Sequence, residues 1–296
     1  MIAYPAPAKL NLFLQITGRR DDGYHNLQSA FVILDWGDTV YLEKTNDATI
    51  TRVGESTVPH DDDLTVRAAR ALQEATGTTH GARIQIDKKT PMGAGMGGGS
   101  SDAASTLVGL NQLWETQLSI EQLAELGAKL GADVPVFVHG NHAWAEGVGE
   151  ILTPIELPQR WYLCVQPQVH ANTGKIFSDE FLTRDSKAVK ISDFQEGRVH
   201  GNAFESVLRR REPAVDQLFT LLTERVAGTP RLTGTGSVVF VEYSDRDSAL
   251  TALSALPSPS PLIASAWVAG SAIESPLHAA VAANYNQFLQ GCRQEA

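Results

Sequence analysis

The alternation of apolar and polar positions predicts a strand close to the N-terminus. Over residues 8–16, Leu10, Leu12, Leu14 and Ile16 take one face, and Lys9 and Asn11 emerge together on the other. The polar stretch Arg19-Arg-Asp-Asp-Gly23 reads as a turn, with Tyr24 and His25 directly after it. Residues 29–43 read as one or two further strands, with Gly37-Asp38 as a turn between them. Asp61-Asp-Asp63 leads into a helix over Leu64–Thr76, whose Leu64, Ala68, Ala71, Leu72 and Ala75 lie near one stripe. The acidic triplet caps that helix and Gly77 stops it. A strand over 82–87 precedes a glycine-rich stretch. After it comes a helix to about Trp114, with Leu107, Val108, Leu110 and Trp114 on its apolar face, and then a helix over 119–130. Gly147 and Gly149 punctuate a later turn.

The proline-flanked segment 155–160 is the best candidate boundary, dividing the chain into units 1–155 and 156–296. Beyond it the pattern predicts a strand over 161–166 and a loop with a short helix carrying Phe177. A helix over 213–226, a glycine-rich turn over 231–237 and a strand over 238–242 follow. A helix over 247–256, a strand over 262–268 and a last helix from Pro276, packed on the outside, complete the second unit. Strands interleaved with helices in two units make the fold class α+β, a mixed α/β architecture.

The stretch Pro91-Met-Gly-Ala-Gly-Met-Gly-Gly-Gly-Ser-Ser-Asp102 adds chemistry to this pattern. Gly93, Gly95, Gly97, Gly98 and Gly99 stand between a strand and a helix start. Glycines let the backbone approach a ligand, and a helix start supplies unpaired N–H groups and the positive end of the dipole. Together they suit an anion, most commonly phosphate. A flexible linker would instead lie among polar residues, away from apolar periodicity. The spacing contains G-x-G-x-x-G, yet no strand ending in an acidic residue follows about 20 positions on, as a dinucleotide site requires. It is no Walker A loop either, because Gly99 stands where the lysine belongs. A nucleotide loop of a third kind fits best.

Composition narrows the classes. With 43% hydrophobic and 20% charged residues the chain is an ordinary globular protein, and its net charge of −10 argues against nucleic-acid binding. No apolar run approaches the ~18 residues of a membrane span, and no signal peptide is recognisable. Only Cys164 and Cys292 are present, which excludes a disulfide framework and a cysteine metal site and makes the cytoplasm the expected location.

Four modest signals become specific through their order. They are an N-terminal Pro-x-x-Lys-x-Asn strand, the glycine stretch with Ser-Ser-Asp-Ala-Ala, Gly131-Ala-Asp-Val-Pro-Val-Phe137, and Leu232-Thr-Gly-Thr-Gly-Ser237. That order resembles the GHMP kinase superfamily of small-molecule kinases. Ala8-Lys-Leu-Asn-Leu12, Asp22-Gly-Tyr-His25 and Gly131-Ala-Asp-Val-Pro135 are similar to members whose acceptor alcohol carries a cytidine nucleotide.

The resemblance implies a two-domain fold with the active site in the cleft between domains. It implies ATP as donor, with the phosphates on Pro91, Met92, Gly93, Ala94, Gly95, Met96, Gly97, Gly98, Gly99, Ser100 and Ser101. Magnesium would be held mainly by phosphate and water, with Ser100 or Ser101 as the candidate protein contact. Asp133 would take the acceptor proton and Lys9 would align it and offset developing charge, although on local grounds Lys9 reads as a solvated lysine and Asp133 as a cap. Asn11, Tyr24, His25, Phe177 and Thr235 would bind the cytidyl substrate, for which an aromatic pair and a histidine offer stacking and edge readout. Neither nucleic acid nor membrane is an expected partner, and a monomer or weak homodimer is expected.

Three departures accompany the resemblance. Asp63 stands where the family commonly has asparagine near the adenine. Asn202-Ala-Phe-Glu205 lacks an aspartate of the family's second-domain element. The chain also continues past His278 with no assigned role. The rival readings are a related kinase for homoserine or a mevalonate derivative, disfavoured by Tyr24, His25 and Phe177, and a non-catalytic nucleotide sensor or RNA-binding module, disfavoured by the Lys9–Asp133 combination and the acidic charge.

Overall fold

Two long strands carry the architecture. β1 (Ile2–Arg19) and β2 (His25–Thr45) form an antiparallel hairpin along almost their whole length. They are followed by β3 (Ile50–Arg52), α1 (Leu64–Thr76), β4 (Gly81–Asp87), α2 (Gly98–Leu113), α3 (Ile120–Ala128), α4 (Val134–His139), β5 (Ala143–Glu146) and β6 (Ile151–Pro154). The remainder comprises β7 (Trp161–Pro167), α5 (Thr173–Phe177), α6 (Ile191–Gln195), β8 (Gly201–Asn202), α7 (Glu205–Arg211), α8 (Pro213–Arg225), β9 (Arg231–Leu232), β10 (Val239–Tyr243), α9 (Arg246–Ser254), β11 (Ile263–Gly270) and α10 (Pro276–Gln294). These coordinates are a computed structural model, which describes residues 1–169 and 173–294, the side chains of Thr173 and 286–294 excepted.

The strands form two sheets. The first runs β3-β4-β2-β1-β8, with the β5–β6 hairpin attached to β2, and the second runs β11-β7-β10-β9. Helices α1, α2, α3, α4 and the start of α10 cover one face of the first sheet, in a core that includes Tyr4, Leu42, Leu72, Leu107, Val134 and Leu277. On β7 and β10 the side chains alternate between two cores. Tyr162, Cys164 and Phe240 meet Leu10, Val32 and Leu34 of the first sheet, whereas Leu163, Val165, Val239 and Val241 meet Val207, Leu218 and Leu222 of α7 and α8. The layers are therefore helix, sheet, sheet, helix.

Several expectations change here. Strand β1 spans residues 2–19 rather than 8–16, and Gly37-Asp38 is no turn, because Pro7 pairs with Gly37 and Ala6 with Asp38 inside the ladder. The register shifts between Pro7 and Lys9 and between Asn11 and Phe13, so strict alternation fails along β1. Leu10 and Leu12 join the inter-sheet core, while Leu14 and Ile16 join the core of the second sheet. The opposite face is not solvated: Lys9 and Asn11 are each 3% exposed. Burial on both faces erases the contrast that marks a half-buried strand.

Helix α2 also departs from an amphipathic reading. Every residue from Ser101 to Leu110 is buried. Small side chains permit this, since Ala103, Ala104 and Gly109 let the helix settle closely on the sheet; a Cβ on Gly109 would lie 2.6 Å from Leu42 and 3.0 Å from the Tyr4 ring. The last helix does not simply lie outside. Leu277 is fully buried, the His278 ring meets the Val138 carbonyl oxygen at 2.7 Å, and the Gln112 side chain donates to the Val281 carbonyl at 2.8 Å.

Because α2 presents the glycine loop, its seat on the sheet matters to everything above it. Gly109→Val should overpack this interface and cost about 1–3 kcal/mol. A urea-unfolding midpoint equal to that of the parent protein would contradict the close seating.

Candidate active site

The glycine loop follows the path its sequence suggests. Gly93, Gly95 and Gly97 have φ of 64°, 79° and 73°, a left-handed region that L side chains rarely adopt. Gly97 is the N-cap of α2, and no side chain caps that helix. The Ala94 and Met96 side chains are buried in the inter-sheet core, so these two residues offer a ligand only backbone. Met92 is 54% exposed at the rim. Close approach rather than turn geometry alone keeps Gly97 small, because a Cβ there would lie 2.9 Å from the Phe137 ring and 3.3 Å from the Lys9 Cε.

Lys9 and Asp133 come together beside this loop. The Lys9 Nζ lies 3.5 Å from the Asp133 Oδ2 and donates to the Asn11 Oδ1 at 2.6 Å. It also sits 5.0 Å from the centre of the Phe31 ring. Asp133 occupies the N-cap position of α4, yet its side chain makes no capping hydrogen bond. Its carboxylate instead faces the buried lysine and is 33% exposed, open to an incoming hydroxyl. The Lys9 backbone N–H donates to the Met96 carbonyl at 3.0 Å, fixing lysine and loop in one unit.

Asn11 ties this unit to the second glycine turn. Its Oδ1 accepts from Lys9, from the Gly234 N–H at 2.9 Å and from the Thr233 hydroxyl at 3.3 Å, and its Nδ2 donates to the Ser29 hydroxyl at 2.8 Å. The two glycine turns touch backbone to backbone. A Cβ on Gly95 would lie 2.2 Å from the Thr233 carbonyl oxygen, and one on Gly234 would lie 2.8 Å from the Gly95 Cα. The Gly95 carbonyl, at 3.2 Å, is the alternative acceptor for the single proton of the Thr233 hydroxyl. Sequence reasoning selected Thr235 from this turn, which stands half-exposed at its tip, and missed Thr233, which makes the junction. The Thr233-Gly-Thr-Gly236 repeat offered the signal, but two threonines each followed by glycine cannot be told apart without the partner strand.

The aromatic residues form a second cluster. The His25 and Phe177 rings lie 5.3 Å apart at 34°, and the edge of Phe204 meets Phe177 at 4.7 Å. The His25 Nε2 is buried without a hydrogen-bond partner. Its pKa is lowered from the ordinary value by burial first, then by Arg184 and Arg19. Tyr24 is 65% exposed at the hairpin tip. The two clusters are physically joined. The Phe204 N–H donates to the Asn202 Oδ1 at 2.9 Å, and the Asn202 Nδ2 donates to the Leu232 and Gly234 carbonyls at 2.9 and 2.8 Å. Contacts thus run without a break from His25 through Phe177, Phe204, Asn202, Gly234 and Asn11 to Lys9. The motif Asn202-Ala-Phe-Glu205 acquires a structural role that does not use the missing aspartate.

Beneath the first turn of α2 lies a charge network absent from the sequence reading, with two buried carboxylates and a partly exposed lysine. Lys88 donates to the Asp102 Oδ2 at 2.8 Å and to Asp38, whose other oxygen accepts the Lys89 and Thr90 N–H groups, both at 2.6 Å. Burial and the neighbouring Asp38 push Asp102 up to about 7, against the opposing pull of Lys88. Burial alone would lower Lys88, but Asp102 and Asp38 outweigh it and raise it. The Thr90 hydroxyl, the Ser101 hydroxyl and the Asp102 Oδ1 are buried without a partner around this helix start.

At the other end of the loop region, Asp63 caps α1 by accepting the Thr65 N–H at 2.9 Å and hydroxyl at 2.6 Å, and its Oδ2 lies 3.3 Å from the Arg52 Nε. The carboxylate that replaces an amide is thereby fully engaged within the protein. Concavities of about 380 and 390 Å³ lie beside Arg209–Arg210 and beside Arg160–Arg231. Arg209 pairs with Asp216, both Arg160 and Arg231 pair with Glu242, Arg210 stacks on the Phe181 ring, and neither concavity contains a buried polar atom in need of a partner. Among the described residues, no group of three or more His, Cys, Asp or Glu could hold a metal ion, and no helix is long and apolar enough to cross a membrane.

The raised Asp102 pKa has a consequence for stability. Unfolded, the residue ionises near pH 4; folded, near pH 7. Its contribution is therefore complete below about pH 4 and is lost as pH rises towards about 7. Asp102→Asn should flatten this dependence, so that the variant gains on the parent in urea unfolding at pH 8 relative to pH 5. An equal difference at the two pH values would contradict a protonated Asp102.

Comparison with known proteins agrees with this geometry. Residues 63–141 match the GHMP kinases N terminal domain. The chain is 58% identical over 277 residues to the 4-diphosphocytidyl-2-C-methyl-D-erythritol kinase of Xanthomonas axonopodis pv. citri (strain 306), covering 93% of this chain and 92% of the relative. It is 55% identical to the kinase of the same name from Xylella fastidiosa (strain 9a5c), covering 93% and 91%. A solved structure of 4-(cytidine 5'-diphospho)-2C-methyl-D-erythritol kinase superposes with a TM-score of 0.77 at 29% identity, covering 91% of this chain and 98% of that one. With helix–sheet–sheet–helix layers, a glycine loop at the start of α2 and relatives of this identity over nearly its full length, the chain belongs to the 4-diphosphocytidyl-2-C-methyl-D-erythritol kinase family of GHMP kinases.

Proposed function

We propose that the protein transfers the γ-phosphoryl group of ATP to the 2-hydroxyl of 4-diphosphocytidyl-2-C-methyl-D-erythritol, a step of the non-mevalonate route to isoprenoid precursors. The observation that carries this reading is the Lys9–Asp133 pair, 3.5 Å apart beside an uncapped helix start and three left-handed glycines. Asp133 accepts the hydroxyl proton as the acceptor oxygen bonds to phosphorus and the β–γ bridging bond breaks. Lys9 orients that carboxylate and offsets negative charge on the transferring group. Such alignment and charge neutralisation supply most of the catalysis in phosphoryl transfer.

The donor half is the stretch Pro91 to Ser101, whose backbone N–H groups and helix dipole suit phosphate. Magnesium, when bound, would neutralise phosphate charge. The buried and unpaired Ser101 hydroxyl suits it better than the half-exposed Ser100, with phosphates and water supplying the other ligands. For the acceptor half, the unpaired His25 Nε2 beside the Phe177 ring supports cytosine readout, with Tyr24 free to close over the base. Asn11 and Thr235 were expected to touch the substrate directly. The three protein groups on the Asn11 Oδ1 favour an orienting role for that amide. The reading keeps units 1–155 and 156–296, a cytoplasmic location, and a monomer or weak homodimer.

Incubation with ATP and a panel of alcohols tests the acceptor. Turnover of homoserine or mevalonate but not of the cytidyl alcohol would overturn the assignment. Asp133→Asn should keep ATP binding and lower kcat by a hundredfold or more, the usual scale for a general base. Near-normal turnover would leave Asp133 a mere turn residue. Gly97→Val should raise the KM for ATP, since its side chain would enter the space between Phe137 and Lys9; an unchanged ATP affinity would count against the glycine loop as phosphate site.

A further inference from the structure

Arg184 belongs to none of the motifs that mark the family, yet it is bound into the acceptor end of the site. Its guanidinium donates to three carbonyl oxygens at the end of α5: Nη2 to Phe177 at 2.8 Å and to Asp179 at 2.7 Å, and Nη1 to Leu182 at 3.0 Å. Phe177 ends α5, and Asp179 and Leu182 belong to the turn that follows it, so one rigid five-donor fork ties the helix end to that turn. The segment so held carries Phe177, whose ring meets His25 on one side and Phe204 on another. We infer that Arg184 is a positioning residue for the cytosine subsite, fixing Phe177 against His25 and setting which hydrogen-bonding form His25 presents. The inference rests on the proposed cytidyl acceptor.

The charge of Arg184 acts in the same direction as its geometry. Two cations face His25: Arg184 from the segment after α5 and Arg19, which pairs with it across the β1–β2 ladder. After burial, they are the causes that lower the His25 pKa. A neutral imidazole accepts at one nitrogen and donates at the other, whereas an imidazolium only donates. Cytosine offers an amino donor next to a ring-nitrogen acceptor, so the neutral ring can accept from that amino group at the unpaired Nε2. Lysine at this position would keep the charge but lose the fork, and glutamine would lose both.

The test compares Arg184→Gln and Arg184→Lys with the parent enzyme. It measures KM for the cytidyl alcohol, KM for ATP, and the pH titration of the His25 ring by NMR, assigned by difference from His25→Gln. Arg184→Gln should raise the acceptor KM about tenfold, keep the ATP KM within twofold, and move the His25 titration to higher pH. The acceptor KM of this variant should accordingly begin to worsen at a higher pH than that of the parent as pH is lowered. Arg184→Lys should raise the acceptor KM while leaving the His25 titration near that of the parent, and it decides the matter if the glutamine variant does not fold. An acceptor KM within twofold of the parent, or equal increases in both KM values, overturns the inference while leaving the acceptor assignment intact. A parent enzyme that does not turn over the cytidyl alcohol overturns both.

Discussion

The contact between Gly95 and Gly234 is one that only backbone can make, and the site is assembled around it. At 2.8 Å from a would-be Cβ to the Gly95 Cα, no other residue pair brings these two turns together without displacement. The amide of Asn11 and the hydroxyl of Thr233 hold the contact in place. Because the same Asn11 oxygen accepts from Lys9, the buried lysine is oriented by the junction that orients the glycine loop. A shift of either turn would therefore reach the ammonium group as well as the glycine loop.

This arrangement requires charge to be buried, and the structure meets the cost by pairing. Lys9 is 3% exposed, but it has Asn11, Asp133 and the face of Phe31 around it. The buried Asp38 and Asp102 share the partly exposed Lys88 under the start of α2. Helix α2, which carries the glycine loop at its start, is held from below by polar contacts and at its sides by close packing of small residues. That rigidity suits a reaction in which alignment does most of the catalysis.

The proposed acceptor end lies in a different part of the molecule. His25 and Phe177 are separated by more than 150 positions in the chain, yet their rings lie 5.3 Å apart. The link from this pair to Lys9 passes through Phe204, Asn202 and Gly234, so the acceptor end and the reacting end share one continuous framework. The same framework explains how Asn202-Ala-Phe-Glu205 functions without the aspartate common in relatives. Its asparagine and phenylalanine bear the contacts.

What the sequence determined by itself was the set of local features. Left-handed glycines at 93, 95 and 97, the helix after them, the Asp63 cap and the Gly77 stop all depend on neighbours within a turn or two. Motif order added the family, because Lys9, the glycine loop, Asp133 and the second glycine turn are ordered as in other members. Only the tertiary structure decided which side chains touch. It buried Lys9 where strand alternation promised solvent, freed Asp133 from the capping role its position suggested, set Thr233 at the junction of the two glycine turns, and joined Asp38 and Lys88 to Asp102. The physical reason is sequence separation. Asn11 and Gly234 meet across 223 positions, and no local preference records a partner that distant; close packing of the two sheets brings them together.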